Sequence, residues 1–487
     1  MTKYESLLDT IGGTPLVRLP HLDRTVAPRI YAKLDFQNPG GSSKDRAALW
    51  MIRRAEEEGL LTPGGTVVET TSGNTGIGIA LVAAHLGYKA VIFTSAFIAE
   101  EKRRILVAYG AKLRLVSEYL PKSHPRSAHS LASAFVEETP GAWLATQFDN
   151  PSNPRAHVES TAPEIWRDTE GAVTHFVAPI GTGGTISGTG RTLKDLSAGA
   201  VKIIGADPQS SLYSGGDGSS RVIEGTGRAV HAEGVADPWP TTFDAGVVDE
   251  FVRVSDAESI AAARRVAREE GLLIGGSAGL AIAAALRVAS RLGPDDLIVV
   301  FIPDSGRNYL TTYFDDAWLT TQGFQDEAPA GNRGGESVRE AIGPLDPSGV
   351  PRLTKHLQAD TARGVLEARG IPEGVPVLVV EERSAGEHPL SPGDVLGVLT
   401  LRRIAHGLDN GEFAASTRLE ELTHPAPPRI GIGAIVDSAA AHLARAQADW
   451  ALASVLSEGR IVALIDRATL LGHRRTSGET LDAHLVK

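Results

Sequence analysis

The sequence predicts an α/β protein whose larger, N-terminal part is built on mostly parallel β-sheet. Short apolar runs, such as residues 30–35, 173–179 and 297–302, have the composition of buried strands and alternate with helical patterns. Gly-rich or polar turn motifs stand at the ends of such runs. Strands that alternate with helices favour a parallel sheet, whose ligands sit beyond the carboxyl ends of the strands.

Bulk properties narrow the class of protein. A chain of 487 residues is too long for one ordinary core, so we expect two or three domains. The net charge of −11 argues against a nucleic-acid partner, and the absence of Cys excludes disulfides and thiolate chemistry. No signal segment or membrane-spanning run is evident, so a cytoplasmic protein is the default expectation. The scattered His residues show no paired ligand spacing, and we assign no metal.

The first candidate for chemistry is Lys44, at the end of the turn-rich run Asn38-Pro39-Gly40-Gly41-Ser42-Ser43-Lys44-Asp45-Arg46. The apolar stretch at residues 47–52 predicts a helix that begins there, with a Ser as its cap. A Lys at a helix N-terminus faces the positive end of the helix dipole, and when partly desolvated it is suited to Schiff-base chemistry. For an isolated Lys, a solvated surface position is the simpler explanation.

Three further motifs come later in the chain. Thr70-Thr71-Ser72-Gly73-Asn74-Thr75-Gly76 follows the strand predicted at residues 67–69, and Gly275-Gly276-Ser277-Ala278-Gly279 follows the apolar residues 272–274. Taken singly, Asn74 and Ser277 are well explained as helix N-caps. The glycines of Gly181-Thr182-Gly183-Gly184-Thr185 let the backbone approach an anion at a helix start, although a tight β–α turn needs the same residues. A dinucleotide fingerprint fits poorly, because this loop comes late in the chain.

Together and in this order, the four motifs resemble the cysteine synthase and cystathionine β-synthase family of fold-type II pyridoxal-phosphate enzymes. The resemblance runs from about Tyr4 to Phe324. It implies a two-lobed catalytic domain over residues 1–324, like the β subunit of tryptophan synthase. It implies pyridoxal 5'-phosphate as the cofactor, bound through a Schiff base to Lys44. The remaining cofactor contacts that it implies are Asn74 at the ring oxygen, Ser277 at the pyridine nitrogen, and Gly181, Thr182, Gly183, Gly184 and Thr185 at the phosphate.

The resemblance also implies where the substrates bind. Thr71, Ser72, Thr75 and Gln147 would meet the substrate carboxylate, and Gly225 belongs to the segment 224–227 at the entrance. Lys44 would act as the general base for a β-replacement on serine or an activated serine. A hydroxyl behind the pyridine nitrogen, in place of a carboxylate, limits carbanion character and favours elimination over transamination.

Three functions stay open. The first uses homocysteine as the thiol and gives cystathionine, as residues 224–227 and 303–309 suggest. The second is a cysteine synthase that uses sulfide, because sulfide-using members of the family often carry Phe at the position of Phe148. The third is a ligand-sensing protein with an inactive enzyme lobe, against which the intact Lys44, Asn74 and Ser277 argue. In each case the partners are small molecules, and the resemblance implies a homodimer or a higher homo-oligomer.

The C-terminal part differs from the rest of the chain in composition and pattern. Residues 325–336 are polar and rich in Gly and Pro, which is typical of a linker. In residues 337–487 a faint internal repeat aligns residues 395–404 with residues 461–470, each a buried strand followed by a helix start. This part resembles an α+β tandem CBS-domain module, a kind of module that commonly binds adenosyl ligands. A structural or dimerising role is an equal alternative.

Overall fold

A computed structural model describes residues 3–71, 73–96, 98–116, 120–231, 235–325, 337–342, 350–381, 390–432, 434–445, 452–466, 470 and 483–485. The chain divides into two compact units. The first comprises residues 1–216, 223–229 and 236–310, and the second comprises residues 217–222, 230–235 and 311–487. The chain therefore passes between the units several times, and each unit is described by itself.

The strands of the first unit are short and mostly buried. They are β1 (Leu16–Arg18), β2 (Arg29–Leu34), β3 (Thr66–Thr70), β4 (Lys89–Ser95), β5 (Lys112–Val116), β6 (Ala142–Leu144), β7 (His175–Pro179), β8 (Lys202–Pro208), β9 (Glu250–Val254) and β10 (Leu297–Ile302).

The helices of this unit fall between the strands. They are α1 (Lys44–Glu57), α2 (Asn74–Leu86), α3 (Glu100–Ala108), α4 (Ala128–Glu138), α5 (Ser152–Ala156), α6 (Ala162–Asp168), α7 (Gly184–Leu196), α8 (Asp256–Glu269) and α9 (Gly276–Ala289). A π-helical segment, His157–Thr161, joins α5 to α6.

Two sheets form the lobes of the first unit. One runs β1-β2-β10-β7-β8-β9 and is parallel except for β1 at its edge. The other runs β5-β4-β3-β6 and is parallel throughout. This confirms the predicted α/β class. Every residue of β10 is buried, as expected of a parallel strand covered by helices on both faces.

Each lobe has its own hydrophobic core. Around the four-stranded sheet, α1 and α2 pack with residues such as Met51 and Ile79. Around the six-stranded sheet, Phe176 and Phe301 pack edge to face beneath α7. In α2 the small residues let the helix lie close to α1, because a Cβ at Gly78 would stand 2.9 Å from the backbone oxygen of Lys44.

The second unit contains the C-terminal elements. Its helices are α10 (Asp316–Thr321), α11 (Val338–Ile342), α12 (Ala359–Ala368), α13 (Leu401–Asp409), α14 (Leu419–Leu422) and α15 (Val436–Arg445). Its strands are β11 (Arg352–Thr354), β12 (Pro376–Val380), β13 (Val395–Thr400), β14 (His424–Pro425), β15 (Arg429–Gly431), β16 (Leu452–Ser457), β17 (Arg460–Asp466) and β18 (Ala483–Leu485).

The two sheets of the second unit have the same topology. They run β11-β12-β13-β14 and β15-β16-β17-β18, and each has one parallel pairing followed by two antiparallel pairings. Helices α12 and α15 occupy equivalent places, between the first and second strands of each sheet. The duplicated α+β pattern is the one expected from the faint sequence repeat.

Short segments from within the catalytic sequence also belong to the second unit. The hydroxyl of Ser220 bonds to the Ser391 hydroxyl and lies 3.3 Å from a carboxylate oxygen of Asp394. Arg460 donates to Ser219, and the Tyr313 hydroxyl donates to the backbone oxygen of Val222 at 2.6 Å. The expected domain boundaries at 324 and 337 stay predictions, and most of the expected linker lies outside the described residues. No helix in the described ranges is long and apolar enough to cross a membrane.

Candidate active site

Lys44 is the first residue of α1, as its sequence context predicts. Its backbone N–H donates to the Ser42 hydroxyl at 3.2 Å, and the N–H of Ser43 donates to the backbone oxygen of Pro303 at 2.8 Å. The turn is thereby tied to the carboxyl end of β10. Burial lowers the pKa of Lys44, while the negative charges of Asp304 and Asp35 oppose that change. An amine in this setting is closer to its neutral, nucleophilic form than a surface lysine is.

Asn74 is the first residue of α2, directly after the turn that follows β3. Gly73 stands at the N-cap position with φ of 143°, so the interpretation of Asn74 as a cap is wrong. The side-chain amide of Asn74 instead donates to Oδ2 of Asp304 at 2.9 Å. Thr71 accepts a hydrogen bond from the N–H of Gly73 at 3.2 Å, which closes the turn. Ser72 lies outside the described residues.

The structure brings Thr75 and Gln147 together, although they are far apart in the sequence. The Thr75 hydroxyl donates to Oε1 of Gln147 at 2.6 Å, and both side chains are buried. Glu69, on β3, accepts the backbone N–H groups of Gln147 and Thr70 at 3.0 and 2.6 Å. Burial raises the pKa of Glu69 to about 7, against the lowering effect of these two hydrogen bonds. Glu69 therefore fixes the backbone that carries Gln147 beside the Asn74 turn.

The glycine loop after β7 is closely packed at the start of α7. A Cβ at Gly181 would overlap the backbone oxygen of Gly225, and one at Gly184 would overlap the Asn153 side chain. Gly183 is the N-cap of α7 and has φ of 86°, a conformation that glycine adopts without strain. The predicted loop therefore depends on its glycines, and its backbone follows a path that side chains would block.

His157 contacts this loop through the side chain of Thr185. One ring nitrogen, Nε2, lies 3.1 Å from the Thr185 hydroxyl, and Nδ1 lies 2.8 Å from the Thr161 hydroxyl. Burial lowers the pKa of His157 to about 3, with a further lowering from the positive charges of Arg46 and Lys44. The imidazole is therefore neutral at physiological pH.

Ser277 is the second residue of α9 and is 8% exposed. Gly275 is the N-cap of α9 and its N–H donates to the backbone oxygen of Asp304 at 3.1 Å, so the N-cap interpretation of Ser277 is also wrong. The expectation that this motif follows a strand is wrong as well. It comes after α8, and Ile274 forms only an isolated bridge with Ser305.

The segment containing Gly225 lies against the glycine loop, where the N–H of Gly227 donates to the backbone oxygen of Ile180 at 2.6 Å. Its neighbour Glu224 receives a hydrogen bond from Lys102 at 2.5 Å. The Lys102 side chain is buried and runs past Gly73, where a Cβ would stand 2.6 Å from its Cδ. A pair of opposite charges therefore lies beside the turn that carries Asn74.

These residues fit a phosphate-bearing aldehyde cofactor. The backbone N–H groups of the first turn of α7 have no carbonyl partners within the helix, and the glycine loop leaves them room to meet an anion. The starts of α1, α2 and α9 add an amine with a lowered pKa, a half-buried amide and a buried hydroxyl. Within the described ranges, no cluster of three or more His, Asp or Glu side chains is arranged to hold a metal ion.

Some residues of this site were not predicted from the sequence. Glu69, His157 and Lys102 carry no recognisable spacing signal, because each acts on a residue that is distant along the chain. Asp304 was noticed only as part of a longer motif. Its place two residues after a fully apolar strand is a usable signal, because polar residues at the carboxyl ends of parallel strands gather at the ligand site.

Fold and site together define a pyridoxal-phosphate enzyme of fold type II. The sequence confirms this class, because residues 7–304 match the family described as "Pyridoxal-phosphate dependent enzyme". The chain belongs to that family, and its cofactor is pyridoxal phosphate.

Relatives in the family carry more than one name. The chain is 42% identical over 321 residues to a cystathionine beta-synthase from Apis mellifera, which covers 65% of this chain and 63% of the relative. It is also 42% identical to a probable cysteine synthase from Bacillus subtilis, covering 64% of this chain and 96% of the relative. The chain thus spans slightly less than two thirds of the length of the Apis mellifera protein.

A solved structure shows the same fold. The crystal structure of O-ureido-L-serine synthase superposes with a TM-score of 0.57 and 36% identity, covering 65% of this chain and 99% of that one. The chain is therefore an enzyme of the cystathionine β-synthase and cysteine synthase group. It carries a C-terminal α+β part in addition.

Proposed function

We propose that the protein joins a thiol to the β-carbon of serine, or of an activated serine, with homocysteine as the thiol and cystathionine as the product. With serine itself, the reaction also releases water. The proposal rests on Lys44, which stands at the start of α1 and whose pKa is lowered by burial. The starts of α2, α7 and α9 supply the other groups that this chemistry requires.

The cofactor contacts follow from the site. Lys44 would hold the aldehyde carbon, and the glycine loop with Thr182 and Thr185 would hold the phosphate. Asn74 and Ser277 would meet the ring oxygen and the ring nitrogen. Bound pyridoxal phosphate supplies an electron-withdrawing ring that stabilises negative charge at the α-carbon of an attached amino acid.

The chain's own groups would handle the substrate and its protons. Thr71, Ser72, Thr75 and Gln147 would bind the carboxylate at the start of α2, where the helix dipole favours an anion. Lys44 would take the proton from the α-carbon, because its lowered pKa makes the neutral amine accessible. The same amine would give that proton to the departing hydroxyl, which leaves as water. The thiol sulfur would then bond to the β-carbon, and the thiol proton would return through Lys44 to the α-carbon.

The choice of homocysteine rests on the Lys102–Glu224 pair. Homocysteine carries an ammonium and a carboxylate, whereas sulfide carries neither. Glu224 keeps 35% of its side chain exposed, while Lys102 is 3% exposed. A partly exposed carboxylate beside the Asn74 turn is suited to receive the ammonium of an incoming amino-acid thiol.

Phe148 favours a second candidate, a cysteine synthase that uses sulfide and an activated serine. Its ring lies 5.4 Å from the Lys122 ammonium, and it has no hydroxyl to offer a second amino acid. The Bacillus subtilis relative, which is named a probable cysteine synthase, is matched over nearly its whole length.

The two candidates are separated by turnover measured with serine plus homocysteine and with O-acetylserine plus sulfide. We expect the first pair to react faster, and Glu224→Gln to raise KM for homocysteine while leaving the sulfide reaction unchanged. Lys44→Ala should abolish both reactions and the visible absorption band of the bound cofactor. A strong preference for sulfide in the wild-type protein would contradict the proposal.

For residues 337–487 we propose a tandem CBS-domain module that regulates or dimerises the enzyme. The repeated sheet topology and the equivalent placement of α12 and α15 support it. Thermal shift with adenosyl ligands is the first test, since a ligand at 100 times its Kd should add about 2.7 kcal/mol of stability. The homodimeric state and the cytoplasmic location stay predictions, which sedimentation and fractionation can test.

A further inference from the structure

Asp304 stands where three of the cofactor-site segments meet. It lies two residues after the end of β10 and is 1% exposed. Its backbone forms a bridge with Ser42, two residues before Lys44, and accepts the N–H of Gly275, two residues before Ser277. Its side chain reaches Asn74, at the start of α2. A single residue thus contacts the turns that carry the predicted aldehyde, ring-nitrogen and ring-oxygen partners.

The carboxylate of Asp304 holds the amide of Asn74 in one orientation. Oδ2 accepts from Nδ2 of Asn74 at 2.9 Å and from the Tyr309 hydroxyl at 2.6 Å. In this arrangement the amide turns its nitrogen, and not its oxygen, toward Asp304. One N–H of the amide remains, and Oδ1 of Asn74 is buried without a hydrogen-bond partner among the described residues.

The surroundings keep this carboxylate in place. A Cβ on Gly275 would overlap Oδ1 of Asp304, so the glycine there is needed for the carboxylate to fit. Burial raises the pKa of Asp304, and the positive charge of Lys102 and the hydrogen bonds from Tyr309 and Asn74 lower it. Burying a carboxylate is unfavourable unless hydrogen bonds replace those it made with water. The bonds from Asn74 and Tyr309 provide that replacement, so Asp304 and Asn74 depend on each other.

We propose that Asp304 is a positioning residue: it fixes the Asn74 amide so that the remaining N–H is presented to the ring oxygen of pyridoxal phosphate. The inference rests on the proposed function, since it takes Asn74 as the ring-oxygen partner. Asp304 itself does not touch the reacting atoms. Its side chain acts on the ring oxygen through Asn74, while its charge also opposes the lowering of the Lys44 pKa.

A double-mutant cycle tests this dependence. Wild-type protein, Asn74→Ala, Asp304→Ala and the double variant are compared by the dissociation constant for pyridoxal phosphate. They are also compared by the ratio of the visible to the near-ultraviolet band of the bound cofactor, which reports the state of its ring oxygen. We expect Asp304→Ala to shift the band ratio in the same direction as Asn74→Ala, and to have little further effect once Asn74 is gone. The coupling should be about fivefold or more in the dissociation constant, which is about 1 kcal/mol.

Controls keep the result decisive. Tyr309→Phe removes the other donor to the same carboxylate oxygen but keeps the bond between Asp304 and Asn74, so its band ratio should stay closer to the wild-type value than that of Asp304→Ala. If Asp304→Ala does not accumulate as folded protein, Asp304→Asn completes the same cycle at nearly constant volume. Additive effects of the two substitutions, or an unchanged band ratio in the Asp304 variant, would overturn the inference. A wild-type protein without the visible band would instead overturn the proposed function itself.

Discussion

Replacing Glu164 by Gln should destabilise the enzyme in a way that depends on pH. The Glu164 carboxylate lies beneath the first turn of α1, where Arg46 binds it through two nitrogens at 2.7 and 2.8 Å. Lys33 lies 2.7 Å away, and the N–H of Gly13 donates to it at 2.9 Å. Gln has the shape of Glu but carries no charge. Its amide nitrogen is a donor, and it would face the donors of Arg46, Lys33 or Gly13, where the carboxylate oxygens now accept.

The magnitude follows from the pKa of Glu164. Burial would raise it, but the hydrogen bonds and charges of Arg46 and Lys33 lower it from 4.5 to about 2. A lowering of that size corresponds to about 3 kcal/mol of folding free energy. Because the folded pKa is the lower one, this stabilisation is present above pH 4.5 and is lost as the pH falls toward 2.

Urea unfolding of both proteins, with saturating pyridoxal phosphate, measures the difference. We expect Glu164→Gln to lose about 3 kcal/mol at pH 7, with the difference constant down to about pH 5 and shrinking below it. Glu159→Gln is the matched control. Glu159 pairs with Arg155 with 42% of its side chain exposed, so its loss should be below about 1 kcal/mol. A Glu164→Gln variant as stable as the control, or a difference that grows in acid, would refute the reasoning.

Three further predictions concern the cofactor site. Gly181→Ala should weaken cofactor binding by about 1–3 kcal/mol, because its Cβ would overlap the backbone of Gly225; Gly364→Ala, within α12 and with open space around it, should leave binding unchanged and stabilise by up to about 1 kcal/mol. His157→Leu should weaken cofactor binding by about 1–3 kcal/mol, since it removes the hydrogen-bond partner of the Thr185 hydroxyl in the glycine loop. Fluorescence titration with pyridoxal phosphate measures the affinity of the Gly181 and His157 variants, and an unchanged affinity would contradict the prediction for that variant. Ser277→Asp should divert turnover from β-replacement toward transamination, because a carboxylate there would keep the ring nitrogen protonated; product analysis that shows the wild-type ratio would argue against this role.

The starts of the helices could be predicted from the sequence. Turns that follow buried strands in a parallel sheet point to one edge, so a strand-then-glycine pattern is enough to place Lys44, Asn74 and the loop at residues 181–185. Ser277 was placed correctly near a helix start, although no strand precedes it. Local residue patterns settle such positions because they depend only on short stretches of chain.

The pairings within the site could not be predicted in the same way. Asn74 and Asp304 are 230 residues apart, and the Thr75 hydroxyl reaches Gln147 across 72 residues. These contacts depend on β10 lying between β2 and β7, and on β6 lying beside β3, which no local pattern reveals. The same holds for His157, because its position depends on a π-helical segment that no local sequence pattern predicts.

The repeated passage of the chain between the two units has a practical consequence for anyone who wishes to shorten the protein. Deleting everything after residue 325 would also strip Ser219 and Ser220 of hydrogen-bond partners, because those partners are Arg460, Ser391 and Asp394. The stretch left behind continues directly into residues 223–227 beside the glycine loop. A trimmed enzyme would therefore differ from the full chain in the segment that leads to the glycine loop, and its kinetics would not isolate the contribution of the deleted part.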